Sequence, residues 1–481
     1  MENKNSIKKK LIKIFGADSV SDKQHDLYLH SYDATENEAH LPDFICLVEN
    51  SKQLVQVIKL ANEQKIPLVP YITGNNIGGL TIPVKGGIIL DFSKKMNKVI
   101  HVDEDQMYAI LEPGVTFGQL DAYLKKHHPN LRYCYPFAPP YSGVVGNAIL
   151  SGMNNLSATH GSMGDWINGL EVVLHDGSIV KIGSCFTKEE ENWDKWYSRY
   201  PMPDLMGLFV NWQGMTGLVT KCAVQLWLRK KIQTFIIAMT YGGDATAELI
   251  REFGRLELID DLSAVSLEVA KMSLGFPTPK KFDFEPDYAI LIPISAHSQK
   301  HFKIKMELLN EALKIINNRV KRKIILTDFN YLSAILGEGV RCFADLPNVV
   351  IPLVEYSGLT WIGSYAPINK LKPLMEEGEK IFKKYQVPAF IYMKSMKGSH
   401  YAIWRPIIRF KKHAEEKKVH EICKELLEMG LHYGIIPYKT PIWITEYLKE
   451  KIIDPNWVKF FTDVKKFMDP NNIFNPGRWG I

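Results

Sequence analysis

The chain has 481 residues, 46% hydrophobic and 23% charged, so it is long enough for two or three domains with a large apolar core and is neither disordered nor fibrous in composition. Its net charge of +6 is spread over 59 basic and 53 acidic residues; the densest basic runs, Lys8–Lys10 and Arg319–Lys323, read as solvated faces, so no nucleic-acid partner is expected. Six cysteines (Cys46, Cys134, Cys185, Cys222, Cys342, Cys423) never take C-x-x-C spacing, and no stretch has signal-peptide or membrane-span length, so no metal site, no membrane span and a cytoplasmic setting are expected.

In chain order, DFICLVE from Asp43 reads as a buried strand. A helix follows, with Ser51 as its cap and Leu54, Ile58 and Ala61 on one face. IPLVPYI is the next strand, which makes a β-α-β unit. GGIILDF and MYAILEPGV read as further strands. Thr116 and Gln119 form a capping box ahead of Leu120 and Leu124. EVVLHDGSIVKI is a hairpin turning at Asp176-Gly177.

From about residue 230 the units lengthen. IQTFIIAMTY, a helix from near Asp244, YAILIPISA, a helix from Ser298 to Val320, and KIILTDF alternate. A strand-like stretch runs from Phe390 to Phe410, and a charged helix after it stops at Gly430. The reading is an α+β chain in three parts: a cofactor domain at 1–229, an inserted cap at 230–437, and a segment at 438–481 that returns to the first domain.

Four loops carry the chemistry. YITGNNIGGLTIP holds Thr73, Gly74, Asn75, Asn76, Ile77, Gly78 and Gly79 after a strand, where glycines let backbone N–H groups approach an anion such as a pyrophosphate. PPYSGVVGNAILSG supplies Pro139, Ser142, Gly143, Gly146 and Asn147. ATHGS supplies His160, Gly161 and Ser162. GMTGLVT supplies Gly217 and Val219. Several such loops in one half of a chain suit a long ligand threaded across a domain, as a dinucleotide is. Each loop taken alone is equally an ordinary turn.

The order GNNIGG, GGIILDF, MNKVI, YAILEPGVTFGQL, GNAILSG, HGS, GLEVVLHDG and GMTGLVT resembles the FAD-binding domain of the p-cresol methylhydroxylase type, in the vanillyl-alcohol oxidase family. The likeness covers roughly residues 40–230 and resumes at PYKT and DPNNIFNPGRWGI, where Arg478 joins the residues expected on the cofactor. It implies a flavin domain of two small α/β subdomains, and a cap, built on an antiparallel sheet with helices, over the flavin ring. Within the family the alkylphenol branch is most similar, and it implies a homodimer. Tyr108 and Tyr438 sit where that branch places phenolate-binding tyrosines, and Lys439 stands where it carries arginine. The branch's aspartate near flavin N5 falls on Ser162, with Asp165 three residues later. Trp361 stands where some members tether FAD covalently; tryptophan cannot form that bond, so FAD is expected to be non-covalent.

The function so implied is transfer of a hydride from a para-substituted phenol to FAD. The alternative is a 2-hydroxy-acid dehydrogenase of the glycolate or D-lactate kind, supported by His432 in HYGIIPYK. A third reading is a flavin-bearing electron-transfer subunit with an acceptor protein as partner. His400, Trp404, Arg405 and Arg409 alternate around a cap strand; members facing the flavin would bind a carboxylate, and the others would be surface or interface residues.

Overall fold

The computed structural model describes residues 3–136, 138–188, 192–268, 284–327 and 358–481. Cys342 and the last two residues of KIILTDF lie outside them.

The first subdomain is a four-stranded sheet in which Phe44–Leu47 and Leu68–Tyr71 both pair in parallel with Ile88–Asp91, and Val20–Ser21 forms an antiparallel edge. The third strand therefore inserts between the two strands of the expected β-α-β unit. The connecting helix, Ser51–Gln64, buries Leu54, Val57, Ile58, Leu60 and Ala61 against Phe44, Leu68 and Ile88. Its cap is Asn50, not Ser51: the Asn50 side chain accepts from the Gln53 N–H at 3.1 Å, and Ser51 is already helical.

The second subdomain is a five-stranded antiparallel sheet with Leu218–Gln225 at its centre, between Tyr108–Leu111 and Ile167–Val173. Thr116 and Gln119 make the reciprocal capping box of the helix Phe117–His127. Gly177 takes a φ of 85° at the turn between Ile167–Val173 and Ile179–Gly183.

Residues from Ile232 to Pro437 build a nine-stranded cap sheet whose ladders are all antiparallel. Helices Gly242–Arg255, Gln299–Asn317, Leu371–Lys384 and Glu416–His432 pack on one face through Phe253, Leu309, Phe382 and Leu426. The other face carries Phe235, Val265, Tyr392 and Ile407. The stretch Phe390–Phe410 is a hairpin, Phe390–Met396 and Tyr401–Phe410, turning where Lys397, Gly398 and Ser399 all have positive φ. The helix expected to stop at Gly430 runs through it to His432. Gly430 is needed inside the helix because a Cβ there would lie 2.3 Å from Ile435 Cδ1; the left-handed residue that follows the helix is Gly434.

Residues 473–475 return to the first sheet. Leu68 donates to Ile473 O at 2.7 Å, and Asn475 donates to Leu68 O at 2.8 Å.

Candidate active site

A cavity lies between the two flavin-domain subdomains and the apolar face of the cap sheet. Its walls are the loops at 70–77, 142–147 and 213–219, with Met153, Asn154 and Asn475, and from the cap side Trp361, Tyr392, Lys394, Arg405 and Lys439. Eleven of the seventeen residues expected on the cofactor line it: Thr73, Gly74, Asn75, Asn76, Ile77, Ser142, Gly143, Gly146, Asn147, Gly217 and Val219. Gly74 has a φ of 66°. A Cβ on Gly146 would meet only Ile72 Cδ1, at 3.0 Å, so its remaining side faces open space.

The other six do not line the cavity. Gly79 donates its N–H to Asp33 Oδ2 at 2.8 Å, so that donor is already committed within the protein. Gly78 lies against the Lys439 carbonyl, which a Cβ would approach to 2.3 Å. Both glycines serve loop packing, and the expectation that Gly79 faces the pyrophosphate is corrected. Pro139 accepts from Ser142 N, and His160 stacks on Trp227 at 5.4 Å; burial lowers the His160 pKa. Gly161 turns the chain with a φ of 86°. Arg478 is fully buried, donating to the carbonyl of Ile82 and to Asn475 Oδ1 at 3.3 Å, and so clips residues 475–481 to the Leu80–Ile82 turn.

Three buried polar atoms have no hydrogen-bond partner among the described residues and belong to cavity-lining side chains: Asn154 Nδ2, Gln213 Oε1 and Arg405 Nε. Buried polar atoms are normally paired. Orphaned amide atoms on a glycine-lined wall are what a bound dinucleotide would satisfy, so the residues present fit FAD. The loops at 73–77, 142–147 and 213–219 would hold it.

Tyr108, Tyr438 and Lys439 do not converge. Tyr108 is fully buried on the face of its sheet turned towards Cys185 and Trp196, and its hydroxyl donates to the Trp193 carbonyl. Burial pushes its pKa up to about 12. Ser162 and Asp165 cap each other's turn, with Asp165 Oδ2 accepting from Ser162 N at 3.1 Å and Oγ at 3.2 Å; neither lines the cavity. His432 is exposed at a helix end, so that histidine does not reach the cavity, although the segment it begins ends at Tyr438 and Lys439.

Tyr438 and Lys439 do reach this region, and Arg405 joins them. Arg405 Nη2 donates to Tyr438 Oη at 2.6 Å. Its guanidinium lies 4.8 Å from the Trp361 ring centroid and 5.3 Å from that of Tyr392. Lys439 Nζ is 3.5 Å from Asn147 Oδ1. Burial, and then the repulsion of Arg405, lower the Lys439 pKa to about 7. Burial raises the Tyr438 pKa against the opposing pull of Arg405. Alternation on Tyr401–Phe410 sorts the cap residues: Arg405 faces the cavity, Trp404 points into the core under the helices, Arg409 is half-buried, and His400 is exposed in the turn. That period-two pattern was the available signal for Arg405. Nothing local marks Asn154 or Gln213.

A family profile described as an FAD binding domain matches residues 42–183. The chain is 25% identical over 490 aligned residues to the glycolate oxidase subunit GlcD of Bacillus subtilis, covering 98% of this chain and 96% of that one. It is 26% identical to the 4-cresol dehydrogenase [hydroxylating] flavoprotein subunit of Pseudomonas putida, covering 93% and 89%. Among solved structures, p-cresol methylhydroxylase with substrate bound superposes with a TM-score of 0.85 at 20% identity, over 99% of this chain and 96% of that one. The 4-ethylphenol oxidase of Gulosibacter chungangensis superposes with a TM-score of 0.84 at 17% identity, over 99% and 97%. With the cavity's orphaned amides and glycine walls, these findings identify the chain as an FAD-dependent oxidoreductase with an FAD binding domain over residues 42–183 and the fold of p-cresol methylhydroxylase.

Proposed function

We propose that the chain oxidises a small 2-hydroxy carboxylate. The observation that carries this reading is Arg405 on the cavity wall, in no ion pair with an acid among the described residues and with its Nε–H unpartnered. A half-buried guanidinium without counter-charge on a cavity wall favours an anionic ligand.

Oxidising an alcohol removes a hydride from carbon and a proton from oxygen, and bound FAD supplies the acceptor for the hydride. The chain's own residues account for the rest. Arg405 Nε–H, buried and unpartnered, is a donor for the substrate carboxylate. Tyr438 holds the other side of the same guanidinium, and the Trp361 and Tyr392 rings fix its position. Lys439, with a pKa near 7, is substantially neutral at neutral pH and accepts the hydroxyl proton at Nζ.

A second reading keeps a para-substituted phenol as substrate. It is supported by the aromatic side chains on the wall, Trp361 and Tyr392, and by the similarity to the cresol enzyme. In that reading Tyr438, Arg405 and Lys439 hold the phenolate, and Tyr108 has no part.

The test is anaerobic loss of flavin absorbance with a panel of glycolate, both lactate enantiomers, mandelate, p-cresol and vanillyl alcohol. Bleaching by hydroxy acids that is lost in Arg405→Gln is the expected result. Bleaching by the phenols alone replaces the first reading with the second.

A further inference from the structure

Arg405 has no acid to hold it, yet its guanidinium must stay in one place to select a substrate anion. Its position depends on the Trp361 and Tyr392 rings and on the Tyr438 hydroxyl. Of these, Tyr392 is itself tied to something deeper. Its hydroxyl oxygen lies 3.0 Å from Ser263 Oγ. The same Oγ accepts from Lys394 Nζ at 3.2 Å, and Lys394 is ion-paired with Asp261. Asp261, Ser263, Lys394 and Tyr392 are buried, at 0%, 1%, 2% and 7% exposure. The cross-strand register explains the chain of contacts: Ser263 stands opposite Lys394, and Tyr392 opposite Arg405, on the cavity face of the sheet.

The anchor crosses between domains. Asp261 Oδ1 accepts from Ala158 N at 3.2 Å, and beside it Lys397 N and Gly398 N donate to Ser157 O and Ala158 O at 3.0 and 2.7 Å. Residues 157–158 open the flavin domain's short helix Ser157–His160, ahead of the strand Ile167–Val173.

We propose that the Asp261–Lys394–Ser263–Tyr392 chain is a positioning relay: it fixes the Tyr392 ring against the flavin domain and thereby holds the Arg405 guanidinium where it binds the substrate's anionic group. Tyr392 and Ser263 act through Arg405 and donate nothing to the substrate themselves. The inference rests on the proposed role of Arg405 as the anion-binding residue. It does not depend on whether the anion is a carboxylate or a phenolate.

Substituting Asp261 or Lys394 leaves a buried charge unpaired and endangers folding, so the informative variants are Tyr392→Phe and Ser263→Ala in the FAD-loaded full-length enzyme. Each keeps the ring and removes the tether. The expected result is a three- to tenfold rise in KM for the anionic substrate, on the order of one hydrogen bond's worth, with kcat within about twofold and a melting temperature lowered by no more than a few degrees. In an Arg405→Gln background the same substitution is expected to have no further effect on KM. Oxalate, titrated against the flavin spectrum, gives an independent affinity free of turnover and is expected to weaken in parallel. An unchanged KM in both variants, or an effect that persists undiminished without Arg405, overturns the relay. If the substrate panel returns only phenols, the 2-hydroxy-acid reading fails, and the same double-substitution comparison run with the active phenol still decides the relay.

Discussion

Lys439 carries the most consequential titration in the site. Its folded-state pKa is near 7, against a usual 10.5, because burial and Arg405 both disfavour the ammonium. If it is the proton acceptor, kcat/KM rises as pH increases through about 7 and then levels. Lys439→Met removes that rise and lowers kcat by about 10²- to 10⁴-fold, read from a pH-rate profile. Stability gives a second sign. At this residue the unfolded chain binds more protons than the folded one between about 7 and 10.5, so Lys439 adds a stability increment that grows with pH across that window, seen as the difference between wild type and Lys439→Met. The two tyrosines should separate cleanly. Tyr438→Phe removes a bond to a charged group, about 1.5–3 kcal/mol, and is expected to lower kcat/KM by roughly ten- to a few hundredfold. Tyr108→Phe should leave the kinetics untouched and cost about 1 kcal/mol in a denaturant melt, through the Trp193 carbonyl it leaves unpaired.

At the level of the element, the loops and helix caps divide into those that shape the cavity and those that only hold it. Gly146 sits in the short helix Val144–Ile149 on the cavity wall, where a Cβ would press on Ile72 Cδ1 at 3.0 Å. Gly146→Val is expected to cut flavin occupancy severely, judged by the ratio of flavin to protein absorbance, while the apo chain melts as before. A bulky residue at Gly79 would strain a left-handed turn against Asn37 and destabilise the fold itself. Asn50→Ala should cost about 1 kcal/mol through the lost cap, and Ser51→Ala close to nothing. The local chemistry of such elements is readable in sequence: the Thr116–Gln119 box and the Asp176-Gly177 turn need only neighbours a few residues apart. Tyr108 was not readable. Every residue of Tyr108–Leu111 is buried, so alternation carries no information about which face meets the ligand. Arg405 was half-readable, since its strand alternates but the sequence does not say which side the flavin domain covers. The pairing of both Phe44–Leu47 and Leu68–Tyr71 with Ile88–Asp91 is likewise set by the whole sheet rather than by any segment.

On the scale of the whole molecule, the cap and flavin domains share the site, and the cofactor is expected to be held by shape and hydrogen bonds alone. Trp361 lines the cavity and offers no nucleophile. Acid precipitation of the purified yellow protein should therefore release intact FAD into the supernatant, and flavin that stays with the pellet would count against this. The segment after Asp469 matters as much as any loop. Asn475 donates to Leu80 O at 3.3 Å and Gln213 O at 2.7 Å, and Arg478 binds Ile82 O, so one short stretch ties two cavity walls together. Deleting residues 475–481 is expected to abolish flavin retention and to lower the melting temperature by several degrees.

That tie has a consequence for how the protein is made. Asn475 reaches Leu80, 395 positions earlier in the chain, and Leu68 in the first sheet has its backbone partners at Ile473 and Asn475. On the ribosome, the amino-terminal sheet emerges long before the residues that complete its edge. During that interval Leu68–Tyr71 presents unpaired backbone groups, a template for wrong partners. The edge of the amino-terminal sheet thus cannot be completed until the residues around Asn475 have been made.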